Sequence, residues 1–280
     1  MSGIRFDQVG YWSEVKLDIV REYASAYSTI LSKQAGIRAH LYIDGFAGAG
    51  VHISKQTGQF IPGSPLNALN VTPTFKEFHF IDLDGGRAQS LQKLAGGRQN
   101  VFVYEGDCNT ILLDTVFPQA KYEDYRRALC LLDPYGLHLN WQIIHTAGQM
   151  RSIEIVLNFP VMDMNMNVLW RNPDQVQKSQ ADRMDAYWGD GTWRDAAYTK
   201  TRGLFGDLEE KANSEVVAKA FQERLRQVAG FSYVPDPMPM RNTKGSVVYY
   251  LFFASPNKTG AKIVGDIFRK YRNKGLHHGA

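Results

Sequence analysis

Leu41-Tyr42-Ile43-Asp44-Gly45-Phe46-Ala47-Gly48-Ala49-Gly50 decides how this chain is read. An apolar run ends in an acid, and glycines follow at once. That is the pattern of a strand that turns tightly and lets a ligand approach its backbone. The spacing is Asp-x-Phe-x-Gly-x-Gly, which differs from the Gly-x-Gly-x-x-Gly that sets a dinucleotide phosphate on a helix N-terminus. No lysine follows the glycines as it would in a nucleoside-triphosphatase loop. A plain glycine turn is the alternative, and the rest of the chain decides between the two.

Downstream, Val51 to Ile61 reads as a polar, turn-rich excursion. A helix opens after it, with Ser64 as N-cap and Pro65 as first helical residue. Glu77 to Asp84 reads as a second strand ending in acids, and Asp82 or Asp84 stands where a carboxylate accepts from both hydroxyls of a ribose. Val101 to Tyr104 is a third strand. Asp107 just beyond it either accepts from an exocyclic amine such as that of adenine or caps a helix over Thr110 to Val116. Ala128 to Leu132 is apolar throughout, as a buried parallel strand is, and runs into Asp133-Pro134-Tyr135-Gly136. There the Asp133 carboxylate and nearby carbonyls can accept from an amine while Tyr135 offers a stacking face. The plain reading is a strand-end turn, since Asp-Pro commonly opens one. Trp141 to Gln149 is a helix and Ile153 to Phe159 a fifth strand.

Upstream, Trp12 to Ser32 has apolar residues at helical spacing, with Ser13 as N-cap. This helix is expected to lie on a sheet, and Trp12, Glu14 and Lys16 at its start are also placed to border a pocket. Five strand–helix alternations give a doubly wound, mostly parallel α/β sheet. Asp44, Asp82, Asp107 and Asp133 then fall at strand C-terminal ends, where such sheets bind ligands.

After Phe159 the composition shifts. Asp163 to Gly206 is polar, rich in Met and Trp, and carries Arg171, Lys178, Arg183, Arg194, Lys200 and Arg202. It is expected to be an irregular helical insertion (163–206) within a single domain spanning 1–280, either a solvated cap or a lid over the strand tips. Leu208 to Val228 reads as a long helix. Phe231 to Val234 and Val247 to Ala254 read as a strand pair joined by a loop over Pro235 to Lys244. Ala261 to Tyr271 is the final helix, ending in the basic Arg269 to Lys274, and Gly275 to Ala280 reads as a frayed tail. Cations suit a helix C-terminus for dipole reasons alone.

A net charge of +4 over 280 residues permits a nucleic-acid partner without requiring one. His79, alternating with apolar neighbours, and Cys108 and Cys130, in or beside apolar runs, read as core residues of a protein in a reducing compartment. Met1 to Gln8 lacks a signal pattern and no apolar run approaches a membrane span, so a cytoplasmic location is expected. No metal-ligand spacing and no Gly-x-Ser-x-Gly elbow is present.

The combination of Asp44-Gly45-Phe46-Ala47-Gly48-Ala49-Gly50 with Asp133-Pro134-Tyr135-Gly136 resembles the S-adenosylmethionine (SAM)-dependent methyltransferases that act on amino groups. More closely, Trp12 to Tyr271 resembles the three-Cys-motif partner (TcmP) proteins, through Tyr42 to Gly48, Gly63-Ser64-Pro65-Leu66, Leu132 to Gly136 and the Tyr250 to Ser255 strand. The first strand, its loop and Gly63-Ser64-Pro65 are also locally similar to a bacterial ribosomal-RNA adenine-N6 methyltransferase. The resemblance implies a Rossmann-like class I methyltransferase fold with a seven-stranded sheet, helices on both faces, and Val247 to Ala254 inserted antiparallel. It implies SAM as cofactor, with Asp44, Gly45, Phe46, Gly48 and Gly50 around its methionine, Asp82 at the ribose and Asp107 at the adenine amine. Asp133, Pro134 and Tyr135 would receive the substrate. Amino methyltransferases usually carry a second proline after the first. Here Tyr135 and Gly136 follow, closer to the Asp-Pro-Phe-Gly of transfer-RNA dimethylguanosine methyltransferases. RNA or DNA and a three-Cys-motif protein encoded nearby are the implied partners. The competing readings are a SAM-binding partner module without methyl transfer and, on weaker grounds, a nicotinamide dehydrogenase.

Overall fold

The computed structural model describes residues 7–203, 206–242 and 244–276, with side chains described for 7–199, 210–242 and 244–273. Met1 to Phe6 of the expected leaderless start, residues 204–205 of the insertion and the tail from His277 lie outside the described residues, as do the side chains of Lys200 and Arg202.

In chain order the elements are β1 (Gln8–Val9), α1 (Tyr11–Leu31), β2 (Ala39–Asp44), β3 (Val51–Ser54), β4 (Phe60–Pro62), α2 (Ser64–Leu69), β5 (Glu77–Asp82), α3 (Gly85–Ala95), β6 (Val101–Glu105), α4 (Cys108–Ile111), β7 (Arg126–Leu132), α5 (Trp141–Met150) and β8 (Ile153–Phe159). There follow α6 (Val161–Asn167), α7 (Lys178–Trp188), α8 (Trp193–Ala197), β9 (Tyr198–Gly203), β10 (Gly206–Lys211), α9 (Ser214–Gln227), β11 (Met238–Arg241), β12 (Val247–Ala254) and α10 (Lys258–Leu276).

Among the described residues seven strands form one sheet in the order β11-β12-β8-β7-β2-β5-β6. β8, β7, β2, β5 and β6 run parallel, and β12 is antiparallel to both β8 and β11. This is the α/β, Rossmann-like class I methyltransferase topology expected from the sequence, with Val247–Ala254 as the antiparallel strand. No helix among the described residues is long and apolar enough to cross a membrane.

Strand alternation sorts the core. Leu41 and Ile43, Cys130 and Leu132, and Ile155 and Leu157 face α5 and the α7–α9 layer. Tyr42, Leu129, Leu131 and Val156 face α1 and α10. A period of two continues past the last apolar residue. Asp44, Asp133 and Asn158 therefore emerge on the α1 side, at the C-terminal edge.

Several expectations are corrected. Val51 to Ile61 is a hairpin, not an irregular excursion: β3 pairs with β4, and β1 adds to β3 in parallel. Gly10 and Gly63, not Ser13 and Ser64, hold the N-cap positions of α1 and α2. The Glu77 strand ends at Asp82, because Asp84 turns away to cap α3. The expected helix from Leu208 begins only at Ser214, since Gly206–Lys211 pairs with Tyr198–Gly203. Phe231 to Val234 is no strand beyond a single bridge from Tyr233 to Ser255; the Val234 carbonyl instead accepts from Gln222 and Arg226. The edge strand is Met238–Arg241, inside the expected loop. Prolines at every second position (Pro235, Pro237, Pro239) argue for a loop, yet an edge strand tolerates a missing N–H, and Met238 and Met240 bury their side chains. The final helix runs past Tyr271 and takes in Gly275 and Leu276 of the expected tail.

Candidate active site

Two adjoining cavities open at the C-terminal edge of the sheet. One, of about 660 Å³, is lined by Gly45, Phe46, Asp82, Asp84, Asp107 and Tyr135, among others. The other, of about 520 Å³, is lined by Phe46, Gly48, Lys16, Asp133, Pro134 and Asn158, among others. Phe46 and Tyr135 border both, so the two cavities meet at these rings.

On the first side the acids are engaged by backbone. The Gly48 amide donates to Asp82 Oδ2 at 2.8 Å and the Asp84 amide to Asp82 Oδ1 at 2.9 Å. Buried Asp82 thus clamps the glycine loop to the next strand. Each oxygen keeps a second lone pair for a ligand. Asp84 accepts the Arg87 amide at 2.9 Å as a helix cap. Asp107 caps α4, accepting from the Asn109 amide and side chain, both at 3.0 Å, and its exposed carboxylate still faces the cavity. Both of the readings left open for Asp107 are therefore compatible with its place.

The glycines differ in what they do. Gly48 has φ +65° and 3.9 Å of clearance for an added Cβ, so its conformation is the constraint. Gly50, at φ +80°, has Leu94 Cδ2 2.7 Å from where a Cβ would be, and its carbonyl accepts from Gly63 at 2.9 Å. Gly50 closes the base of the β3–β4 hairpin and lines neither cavity. Gly45 donates from its amide to the Leu131 carbonyl.

Asp44 is fully buried. Its Oδ1 accepts the Phe46 amide at 3.2 Å, and its Oδ2 has no hydrogen-bond partner among the described residues. Burial pushes this carboxyl up to about 7; Ser64 is near enough to oppose the shift, together with the Phe46 amide, but meets no hydrogen-bond geometry with Oδ2. Asp44 supports the loop from beneath and does not line either cavity.

Asp133 is held by side chains from two other elements. Lys16 of α1 donates to Asp133 Oδ2, and Asn158 of β8 donates to Asp133 Oδ1 at 2.9 Å. Asn158 also donates to the Pro134 carbonyl at 3.2 Å. Lys16 sits over the Tyr249 ring, 5.3 Å from its centroid. Burial alone would lower its pKa, but the Asp133 carboxylate outweighs this and holds the ammonium above its ordinary value. The loop is braced from the expected insertion. The Leu137 amide donates to Asp163 Oδ2 at 3.3 Å, and a Cβ on Gly136 would stand 3.0 Å from that oxygen.

Tyr135 is 72% exposed. Its hydroxyl donates to Asp7 Oδ2 at 3.0 Å, and Arg87, 5.8 Å above its ring, also bonds Asp7 at 2.9 and 3.1 Å. The amino-terminal segment thereby straps the junction of the two cavities. Asp7, Arg87, Tyr249 and Asn158 were not singled out in the sequence. For Asn158 a signal existed: Leu132 pairs with Leu157, so Asn158 stands level with Asp133.

The residues fit a nucleoside-bearing cofactor. Strand-tip carboxylates with free lone pairs suit hydroxyls and an amine, and the cavity is of ligand size.

No family model matches the chain, and no curated protein matches it in sequence. Among solved structures it is similar to LPL1258 from Legionella pneumophila, with a TM-score of 0.56, 12% identity and 91% of each chain covered, a likeness of fold. Looser likenesses are to the METTL16 methyltransferase domain (TM-score 0.42, 12% identity, 84% of this chain and 67% of that one) and to a SAM-dependent methyltransferase from Leishmania major (0.36, 9%, 87% and 82%). At those scores neither carries an argument about this chain.

Proposed function

We propose that the chain is a SAM-dependent methyltransferase acting on an exocyclic amine of a nucleic-acid base in RNA or DNA. The observation that supports this most is the junction of two cavities at Phe46 and Tyr135, one with strand-tip acids suited to a nucleoside and the other centred on Asp133. SAM would be held by the loop of Gly45, Phe46 and Gly48, by Asp82 at the ribose and by Asp107 at the adenine amine. When bound it supplies an activated methyl on a cationic sulfur.

The chain's own contribution is positioning. The Asp133 carboxylate accepts an N–H of the amine, leaves the nitrogen lone pair free and is the base at hand for the proton the product sheds. Lys16 holds that carboxylate in place, and Tyr135 gives a face on which an unstacked base can rest. A second reading is favoured by the engagement of Asp133 with Lys16 and Asn158 and of Tyr135 with Asp7. In it the chain binds SAM but serves a partner, such as a three-Cys-motif protein, without transferring a methyl group.

The test is calorimetry with S-adenosylhomocysteine, followed by tritiated-SAM labelling of total RNA, DNA and protein with wild type and Asp133→Ala. Binding, label in nucleic acid and its loss in the variant support the first reading. Binding without any label supports the second, and no binding at millimolar ligand removes both.

A further inference from the structure

The residue beside the Asp133 loop with an unused function is Asn158. Its side chain is oriented by chemistry. The amide nitrogen donates to two acceptors, Asp133 Oδ1 at 2.9 Å and the Pro134 carbonyl at 3.2 Å. Turned over, the amide would present its oxygen to a carboxylate and a carbonyl, leaving three acceptors without a donor between them. The nitrogen is thus spent on the loop.

The oxygen is not spent. Asn158 is only 8% exposed, and Oδ1 has no hydrogen-bond partner among the described residues. An unpaired buried acceptor costs about 1–3 kcal/mol, and native structures seldom keep one without a use. The residue borders the Asp133 cavity. Its backbone is fixed from both sides: strand pairing sets it opposite Leu251, and the Tyr187 hydroxyl donates to its carbonyl at 2.9 Å. A residue held this firmly, with its donors consumed and its acceptor spare, is suited to receive an N–H.

The neighbouring loop explains why a second acceptor is needed. The Pro134 carbonyl has already given one lone pair to Asn158, and Lys16 occupies the far oxygen of Asp133. A primary amine presents two N–H groups. Asp133 Oδ1, which also has a spare lone pair, can take one. Asn158 Oδ1, on the adjacent strand, accepts no bond among the described residues and has both lone pairs for the other.

We propose that Asn158 is a substrate-binding residue that accepts one N–H of the amino group to be methylated, alongside Asp133, and so selects amines over carbonyls at that position. This rests on the methyltransferase reading above. A base with an oxo group in place of the amine would set oxygen against the Asn158 and Asp133 oxygens and be rejected, since a site built to receive a donor strongly disfavours a ligand that lacks one.

The test uses the full chain loaded with S-adenosylhomocysteine and titrated by calorimetry with adenosine, cytidine and guanosine, and with their oxo counterparts inosine, uridine and xanthosine. Wild type is expected to bind at least one amino nucleoside tenfold or more tightly than its counterpart. Asn158→Leu should abolish that preference by weakening the amino nucleoside at least tenfold while leaving the oxo nucleoside unchanged. Asn158→Ala, which leaves room for a water, serves if the leucine variant fails to fold. A preference retained in the folded variant, or no amino nucleoside bound by the loaded wild type, overturns the proposal. Failure of S-adenosylhomocysteine itself to bind overturns the reading beneath it, so the two failures are told apart.

Discussion

The glycine loop after β2 and the proline loop after β7 begin alike, with an apolar strand ending in an acid, yet they are stabilised in opposite ways. In the first, carboxylates serve backbone. Asp82 receives the amides of Gly48 and Asp84, and Asp44 receives that of Phe46. In the second, side chains from distant elements serve the carboxylate, as Lys16 and Asn158 converge on Asp133. The first loop is a cradle fixed by its own strand pair. The second is a carboxylate fixed by the tertiary fold. A cradle must keep its shape, and its acids are used to that end. A carboxylate whose oxygens must keep their aim needs partners brought from elsewhere.

The difference is broken most severely at Asp82. Asp82→Ala removes the acceptor of two backbone amides, each a charge-assisted bond, and should cost about 4 kcal/mol. Denaturant unfolding would measure this, and S-adenosylhomocysteine affinity should fall with it. A variant that unfolds like wild type would mean that the glycine loop holds its shape without the clamp.

Lys16→Met acts on the other loop. It keeps the aliphatic stem but leaves Asp133 without its cation. Breaking a buried pair costs about 3–5 kcal/mol. With Asp133 25% and Lys16 11% exposed, solvent screens part of that, and about 3 kcal/mol is expected. The sharper readout is transfer itself. Without Lys16 the Asp133 carboxylate keeps only Asn158 as a side-chain partner, so any methyl-transfer rate should fall at least tenfold while S-adenosylhomocysteine affinity holds. An unchanged rate would remove Lys16 from the positioning of Asp133.

This contrast also explains what the sequence allowed to be read. The parallel strands were legible because β2, β7 and β8 are short, mostly apolar runs buried on both faces, with too few polar positions to set up a competing period. Asp44, Asp82 and Asp133 were legible for the same reason, each being the first polar residue after an apolar stretch. The partners of Asp133 were not. Lys16 lies 117 positions from it and Asn158 25 positions away, and only the strand register and the seating of α1 bring them together. The β3–β4 hairpin was hidden because its strands are short and mostly only half-buried and its connection, Lys55 to Gln59, is polar, and β11 because its prolines carry a loop signal that an edge position overrides.

Within the first loop, Gly48 and Gly50 separate conformation from packing. Gly50→Ala meets both a left-handed φ and the Leu94 side chain at 2.7 Å, and should cost about 2 kcal/mol. Gly48→Ala meets only the φ, and should cost about 1 kcal/mol. The affinities should run the other way. Gly48 lines the Asp133 cavity, at the loop proposed to hold the methionine end of the cofactor, and Gly50 lines neither cavity, so the milder substitution should weaken S-adenosylhomocysteine more. Equal losses of affinity would mean that the cofactor feels the loop as a whole rather than its nearest residue.

Glu154 supplies the control that isolates what Lys16 does. It lies on the same face of β8 as Asn158, four positions earlier, and is buried. Its oxygens accept from the Tyr23 hydroxyl and, at 2.8 Å, from Ser255, with no ion pair among the described residues. Burial pushes its carboxyl up to about 7, while the two hydroxyls oppose the shift without overcoming it. The folded state therefore holds a proton that the unfolded state, with an ordinary carboxylate, releases near pH 4 to 5. A pKa raised by folding contributes stability that is complete below the unfolded value and is lost as pH rises through about 7. Between roughly pH 6 and pH 8 that loss is about 1.4 kcal/mol. Glu154→Gln keeps the shape and the hydroxyl contacts but carries no titrating group, so its stability should be flatter than wild type over this interval. If the two curves run parallel, Glu154 is already ionised in the fold. Hydroxyl donors alone would then suffice to hold a buried carboxylate on this face without the cation that Asp133 has in Lys16.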